Sequence, residues 1–129
     1  MDGLHLTADL YGCRCDPAWL RDEAQLARLC QQQVAAAGLT AVGERWVRFP
    51  GAGGVTGVVL LAESHLALHT WPEAGNATLD IYVCNFSGDN TGKAHGLLEA
   101  LLALLQPQRV LRQQLQRGAM ALEAGATAL

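Results

Sequence analysis

Leu4, Leu6, Ala8 and Leu10 alternate with His5, Thr7, Asp9 and Tyr11, a period of two that predicts a strand with one buried face. The period then changes. Asp16-Pro17 offers an N-cap and a first-turn proline, and Leu20, Ala24, Ala27 and Val34 recur at helical spacing, so one helix is expected between Asp16 and Gly38. Leu39 to Phe49 and Val55 to Ala62 read as extended. The link Pro50-Gly51-Ala52-Gly53-Gly54 is dense in turn formers and predicts a hairpin between them. His65 to Trp71 alternates again, and in the following run Thr78, Asp80, Tyr82 and Cys84 face away from Leu79, Ile81 and Val83. Asn90 precedes the stripe Ala94, Leu97, Leu98, Leu101, Leu102 and Leu105, which predicts a helix stopped by Pro107. A last strand is expected around Arg109 to Leu115, and the alanine-rich stretch from Gly118 to Leu129 is expected to fray.

The order is read as strand-helix-strand-strand, repeated once, with no sequence repeat behind it. Two helices with a single apolar stripe each need one sheet face to cover. The expected fold is therefore α+β: a two-layer α/β sandwich, a mostly antiparallel sheet with two helices on one face. The other face would carry His5, Asp9, Asp80, Tyr82 and Cys84, a mixture that is either solvated or lines a site against a second protomer.

Composition narrows the classes. A chain of 129 residues, half of them apolar and 16% charged, is read as one globular domain spanning 1–129. A net charge of -3 gives no electrostatic footprint for nucleic acid or an anionic membrane. No basic segment leads an apolar run at the N-terminus and no stretch is long enough to span a bilayer, so a cytoplasmic location without membrane contact is expected. Cys13 and Cys15 are too close to pair comfortably; with Cys30 and Cys84 they are expected to be reduced thiols.

The chemistry concentrates in Glu63-Ser64-His65-Leu66-Ala67-Leu68-His69-Thr70-Trp71-Pro72-Glu73 and in Cys84. A serine behind an acidic residue, a histidine five positions on and a thiol beyond are the equipment of a chain that cuts itself. Ser64 would attack the carbonyl of Glu63 from a tight bend, and His69 would supply the base that opens the resulting ester. The new end would be a pyruvoyl group derived from Ser64, a ketone that condenses with a substrate amine and takes up the electrons released when carbon dioxide leaves. Cys84 is the candidate proton donor to the decarboxylated product. The single lysine, Lys93, and the absence of a phosphate-cradling glycine loop make pyridoxal phosphate a poor fit. His65 and His69 would suggest a metal pair on a helix, but their context is a strand and no cysteine or carboxylate cluster completes a site, so no metal is expected.

The run from Glu63 to Glu73, with Val55-Thr56-Gly57-Val58-Val59 before it and Cys84 after it, resembles the prokaryotic S-adenosylmethionine decarboxylases from about His5 to Arg117. The resemblance implies cleavage between Glu63 and Ser64 into a beta chain 1–63 and an alpha chain 64–129, with Ser64 as the pyruvoyl source, His69 in processing and Cys84 in catalysis. It also implies a homodimer of processed alpha/beta pairs, no metal, and a place in spermidine synthesis as source of the aminopropyl donor. Thr56 stands where a serine assisting self-cleavage is usual and keeps its hydroxyl. Ala74 and Asn85 depart from the family's usual aromatic and glycine. An adenosyl group favours an aromatic platform, for which Trp46, Phe49, Trp71 and Phe86 are available, with Phe49, Trp71 and Glu73 taken as the substrate contacts. Ornithine or arginine would instead need a carboxylate such as Glu73 or Asp80. An uncut paralogue that only binds a ligand or partner is the reading of another class.

Overall fold

A computed structural model describes residues 2–86 and 88–118. Strand β1 (Asp2–Cys13) is followed by a short 3-10 turn (Pro17–Arg21) and helix α1 (Glu23–Ala36). Strands β2 (Ala41–Arg48), β3 (Val55–Leu61), β4 (Ser64–Trp71) and β5 (Asn76–Cys84) come next, then helix α2 (Thr91–Leu105) and strand β6 (Pro107–Gly118). The six strands form one sheet in the order β2-β3-β4-β5-β1-β6, every neighbouring pair antiparallel. This is the expected α+β sandwich. The expected repeat is not there: the second half runs strand-strand-helix-strand, so β1 and β6 meet through crossovers that carry the helices.

Alternation sets the core. Leu4, Leu6, Ala8 and Leu10 of β1 are buried on the same side as Leu79, Ile81 and Val83 of β5 and Leu66 and Leu68 of β4. From α2, Ala94, Leu97, Leu98, Leu101, Leu102 and Leu105 are all buried against them. Each such leucine contributes roughly 1.5–3 kcal/mol by leaving water, which outweighs the modest helix propensity of any one position.

Helix α1 differs from its expected outline. Asp16 does accept from the Ala18 amide, but the turn it starts is a 3-10 turn that ends at Arg21. Asp22 then caps a new helix by accepting from the Gln25 amide. Restarting at Glu23 shifts the phase, so the buried stripe is Leu26, Cys30 and Val34 at four-residue intervals, while Ala24 is exposed. Trp46 also differs: it packs on the helix side over Gly57, where any Cβ would run into its ring, and so is not part of an open aromatic platform. Gly118, where fraying was expected to begin, is the last residue of β6 and pairs with Asp2; residues 119–129 lie outside the described residues.

Candidate active site

The open face of the sheet carries His5, Thr7 and Asp9 from β1, Thr78, Asp80, Tyr82 and Cys84 from β5, and His65, Ala67, His69 and Trp71 from β4, none of them in the buried core. Register places them in rows: His5 and His65 both pair with Tyr82, and Thr56 pairs with His69.

One end of β4 holds the bond expected to break. Ala62 and Glu63 form the tight turn between β3 and β4, and Glu63 is one of two non-glycine residues among those described with positive φ, at 60°. That left-handed conformation presses a Cβ toward the following carbonyl oxygen and costs about 1–2 kcal/mol. The strain therefore sits on the residue whose carbonyl would be attacked. Ser64 Oγ accepts from the Cys84 backbone amide at 3.1 Å, so Ser64 and Cys84 are neighbours. Asn90 Nδ2 holds the Cys84 carbonyl at 2.8 Å. Asn85 is engaged as well, accepting from the Asn90 amide at 2.8 Å, which ties the end of β5 to the start of α2. Ser64 also lines a cavity with Ala62, Thr40, Asn90 and Lys93.

The other end of the hairpin holds the remaining candidates. Thr56 Oγ1 lies 3.0 Å from His69 Nδ1. If Nδ1 carries the proton and gives it to Thr56, Nε2 keeps its lone pair and can act as a base. Trp71 stands beside His69 with ring centroids 6.2 Å apart. Phe49, at the end of β2, is 48% exposed and Trp71 44%, so both keep a free aromatic surface. Glu73 is exposed in the Trp71–Gly75 turn.

The two ends do not meet within one chain. His69 is five residues beyond Ser64 on the same strand, about 16 Å away at the usual rise, and odd and even positions face opposite sides of the sheet. A folded-back Ser64 within reach of its own His69 is not what the extended β4 provides.

Local sequence reading missed the convergence of His5, His65 and Asp80, whose candidate ligand atoms all lie within 4.8 Å of one another. His5 Nε2 bonds Asp80 Oδ1, and His65 Nε2 is 3.5 Å from the same oxygen. Arg117 can only donate, so its 3.2 Å contact to His5 Nδ1 leaves the imidazole proton on Nε2, directed at Asp80. A metal bound at His5 Nε2 would put an N–H against that guanidinium, which opposes the arrangement. The remaining thiols are held protonated: burial pushes Cys13 up to about 11 and Cys30 up to about 12.

A profile of the S-adenosylmethionine decarboxylase family matches residues 4–118. The chain belongs to that family. It is 40% identical over 116 residues to the S-adenosylmethionine decarboxylase proenzyme of Aquifex aeolicus, covering 90% of this chain and 81% of that protein. To the proenzyme of the same name from Pyrobaculum islandicum it is 41% identical over 110 residues, covering 84% and 82%. The crystal structure of the Aquifex aeolicus adenosylmethionine decarboxylase superposes with a TM-score of 0.80 at 38% identity over 91% of each chain. A Trypanosoma brucei AdoMetDC-delta26 monomer shares the fold alone, with a TM-score of 0.58 at 12% identity over 84% of this chain and 44% of that one. Among the described residues no helix is long and apolar enough to cross a membrane.

Proposed function

We propose that this chain is an S-adenosylmethionine decarboxylase that generates its own pyruvoyl group by cutting between Glu63 and Ser64 into residues 1–63 and 64–129. The observation that carries the reading is the left-handed Glu63 immediately before a serine whose Oγ lies against the Cys84 amide, in a chain of this family. The comparisons do not favour ornithine, arginine or an uncut binding paralogue.

Cleavage proceeds from the chain's own atoms. Ser64 Oγ attacks the Glu63 carbonyl carbon, the carbon–nitrogen bond breaks, and an ester replaces the amide while the nitrogen takes the hydroxyl proton. A base then removes the α proton of residue 64 and the Cβ–oxygen bond breaks, releasing Glu63 as a carboxylate. The unsaturated residue left behind takes up water and loses ammonia to give the ketone. That group, once formed, supplies the electron sink for decarboxylation. Cys84, half-buried at the end of β5, hands a proton to the product carbon. Phe49 and Trp71 stack on the adenine, and Glu73 reaches the polar part of the substrate.

His69 with its Thr56 hydrogen bond is the processing base, and the separation of about 16 Å from Ser64 along β4 supports its action on a second copy. In a two-fold dimer each contact occurs twice, so the Ser64–Cys84 end of one chain against the His69–Trp71 end of its partner makes two equivalent sites. The working enzyme is accordingly a homodimer of alpha/beta pairs, cytoplasmic, supplying the aminopropyl donor for spermidine synthesis.

Intact mass and a denaturing gel test the cut, which should yield two fragments meeting at Glu63/Ser64. Ser64→Ala should remain full length and release no carbon dioxide from labelled S-adenosylmethionine. Cys84→Ala should be cut yet decarboxylate poorly. Cleavage of Ser64→Ala at the same bond would overturn the reading.

A further inference from the structure

Self-cleavage creates charge. A neutral amide becomes a free α-carboxylate on Glu63, which already carries one on its side chain, in a chain of net charge -3. Directly beside that bond is a cavity of about 170 Å³ lined by Ser64, Ala62, Thr40, Gly38, Asn90 and Lys93. It holds the chain's single lysine.

The position of Lys93 is unusual on local grounds. It lies in the first turn of α2, where the positive end of the helix dipole disfavours a cation, and that turn has no acidic residue to offset it. Lys93 makes no ion pair among the described residues. Its stem runs past Gly38 at the end of α1, where an added Cβ would lie 3.5 Å from Cε and 3.9 Å from Nζ. The ammonium is thus held near the α1 C-terminus, whose last turn has no basic residue of its own. That contact alone would favour the lysine equally before and after the cut. An acidic partner that appears only on cleavage would not.

We propose that Lys93 is the counter-ion of the carboxylate that self-cleavage creates on Glu63. Its ammonium holds the cut end of residues 1–63 in this cavity, of which Ser64 is itself one wall. Asn90, whose amide already fixes the Cys84 carbonyl, is another. The proposal rests on self-cleavage at Glu63/Ser64.

The test compares Lys93→Met in two forms of the full chain, the uncut Ser64→Ala protein and the processed enzyme, by apparent Tm at low and high salt. In the uncut form the substitution should leave Tm nearly unchanged. In the processed form it should lower Tm by about 3–6 °C, the difference should shrink at high salt, and Lys93→Arg should restore it. Equal losses in both forms would reduce Lys93 to a partner of the α1 terminus and overturn the proposal, as would no loss in either. A Lys93→Met chain that stays uncut while Lys93→Arg is cut would also overturn it, by moving the residue to a step before cleavage. Failure of the wild-type chain to be cut would instead sink the underlying reading, so the two failures are distinguishable.

Discussion

Replacing Glu63 by glycine and by alanine separates backbone strain from side-chain chemistry at the proposed cleavage bond. Both substitutions remove the carboxylate, but only glycine removes the Cβ that is strained at a φ of 60°. The left-handed conformation costs a non-glycine residue about 1–2 kcal/mol. Cutting the bond after residue 63 frees that residue to relax, so the strain raises the uncut chain relative to the transition state and the cut product. If all of it is released in reaching the transition state, the barrier for Glu63→Gly rises by the same amount and cleavage slows by about 5- to 30-fold relative to Glu63→Ala. Equilibrium stability should respond less. In the uncut Ser64→Ala background the relief of strain is offset by the roughly 0.5–1 kcal/mol that glycine loses to chain entropy, leaving a net gain of about 0–1.5 kcal/mol. Unfolded precursor diluted into native buffer and sampled over time on a denaturing gel gives the cleavage rates, and urea titration gives the stabilities. Equal rates for the two variants would show that the conformation of Glu63 does not assist the reaction.

Three further outcomes are expected. Thr70, 5% exposed, accepts from the Val55 amide at 2.8 Å and donates to the Leu20 carbonyl at 2.6 Å, so Thr70→Val should lose about 2–4 kcal/mol by urea titration in the Ser64→Ala background; a loss below about 1 kcal/mol would mean those groups find other partners. Burial raises the Cys30 thiol from 9.0 to about 12, so the folded state retains its proton longer than the unfolded chain, and stability should fall as pH rises from about 9 toward 12; Cys30→Ser should flatten part of that fall, with Cys13 and Cys15, both also raised by burial, contributing to what remains, and an unchanged alkaline limb would refute the assignment. Ser64→Ala and His69→Ala chains should each stay whole when refolded alone, whereas refolding them together should cut the His69→Ala chain; no cutting in the mixture would exclude His69 acting across protomers.

How much of the molecule could be read in its sequence depends on how local each signal is. Helix α2 was legible because its six buried residues repeat at helical spacing before a proline; Asn90, expected to cap it, holds the N-cap position without a side-chain capping bond, its amide going to the Cys84 carbonyl instead. Helix α1 was legible as a helix but not in its phase: Asp16-Pro17 is an equally good start for the 3-10 turn it makes, and only the second cap at Asp22 sets Leu26, Cys30 and Val34 inward. The open face was read correctly from strand alternation, since His5, Asp80, Tyr82 and Cys84 do lie on it. Their mutual contacts were not, because His5, Asp80 and His65 come together through register across three strands. Glu63, Ser64 and Cys84 were singled out by motif, while the positive φ of Glu63 and the approach of Lys93 to the same cavity depend on a turn and a helix packing that no spacing encodes.

The placement of Ser64 and His69 shows why a motif can single out groups without describing how they would meet. Five residues on a helix would separate two side chains by only about 7.5 Å along the axis, but five residues on a strand carry them about 16 Å apart and to opposite sides. The same strand geometry that separates them also puts each beside its own helper: Ser64 at the Cys84 amide and His69 at the Thr56 hydroxyl. Each end of β4 thus carries half of the proposed site, and neither end can be moved toward the other without breaking the pairing with β3 and β5 that builds the sheet. In the proposed dimer a second copy would bring the halves together and leave every strand pair intact, so that dimer would be part of the chemistry and not an addition to it.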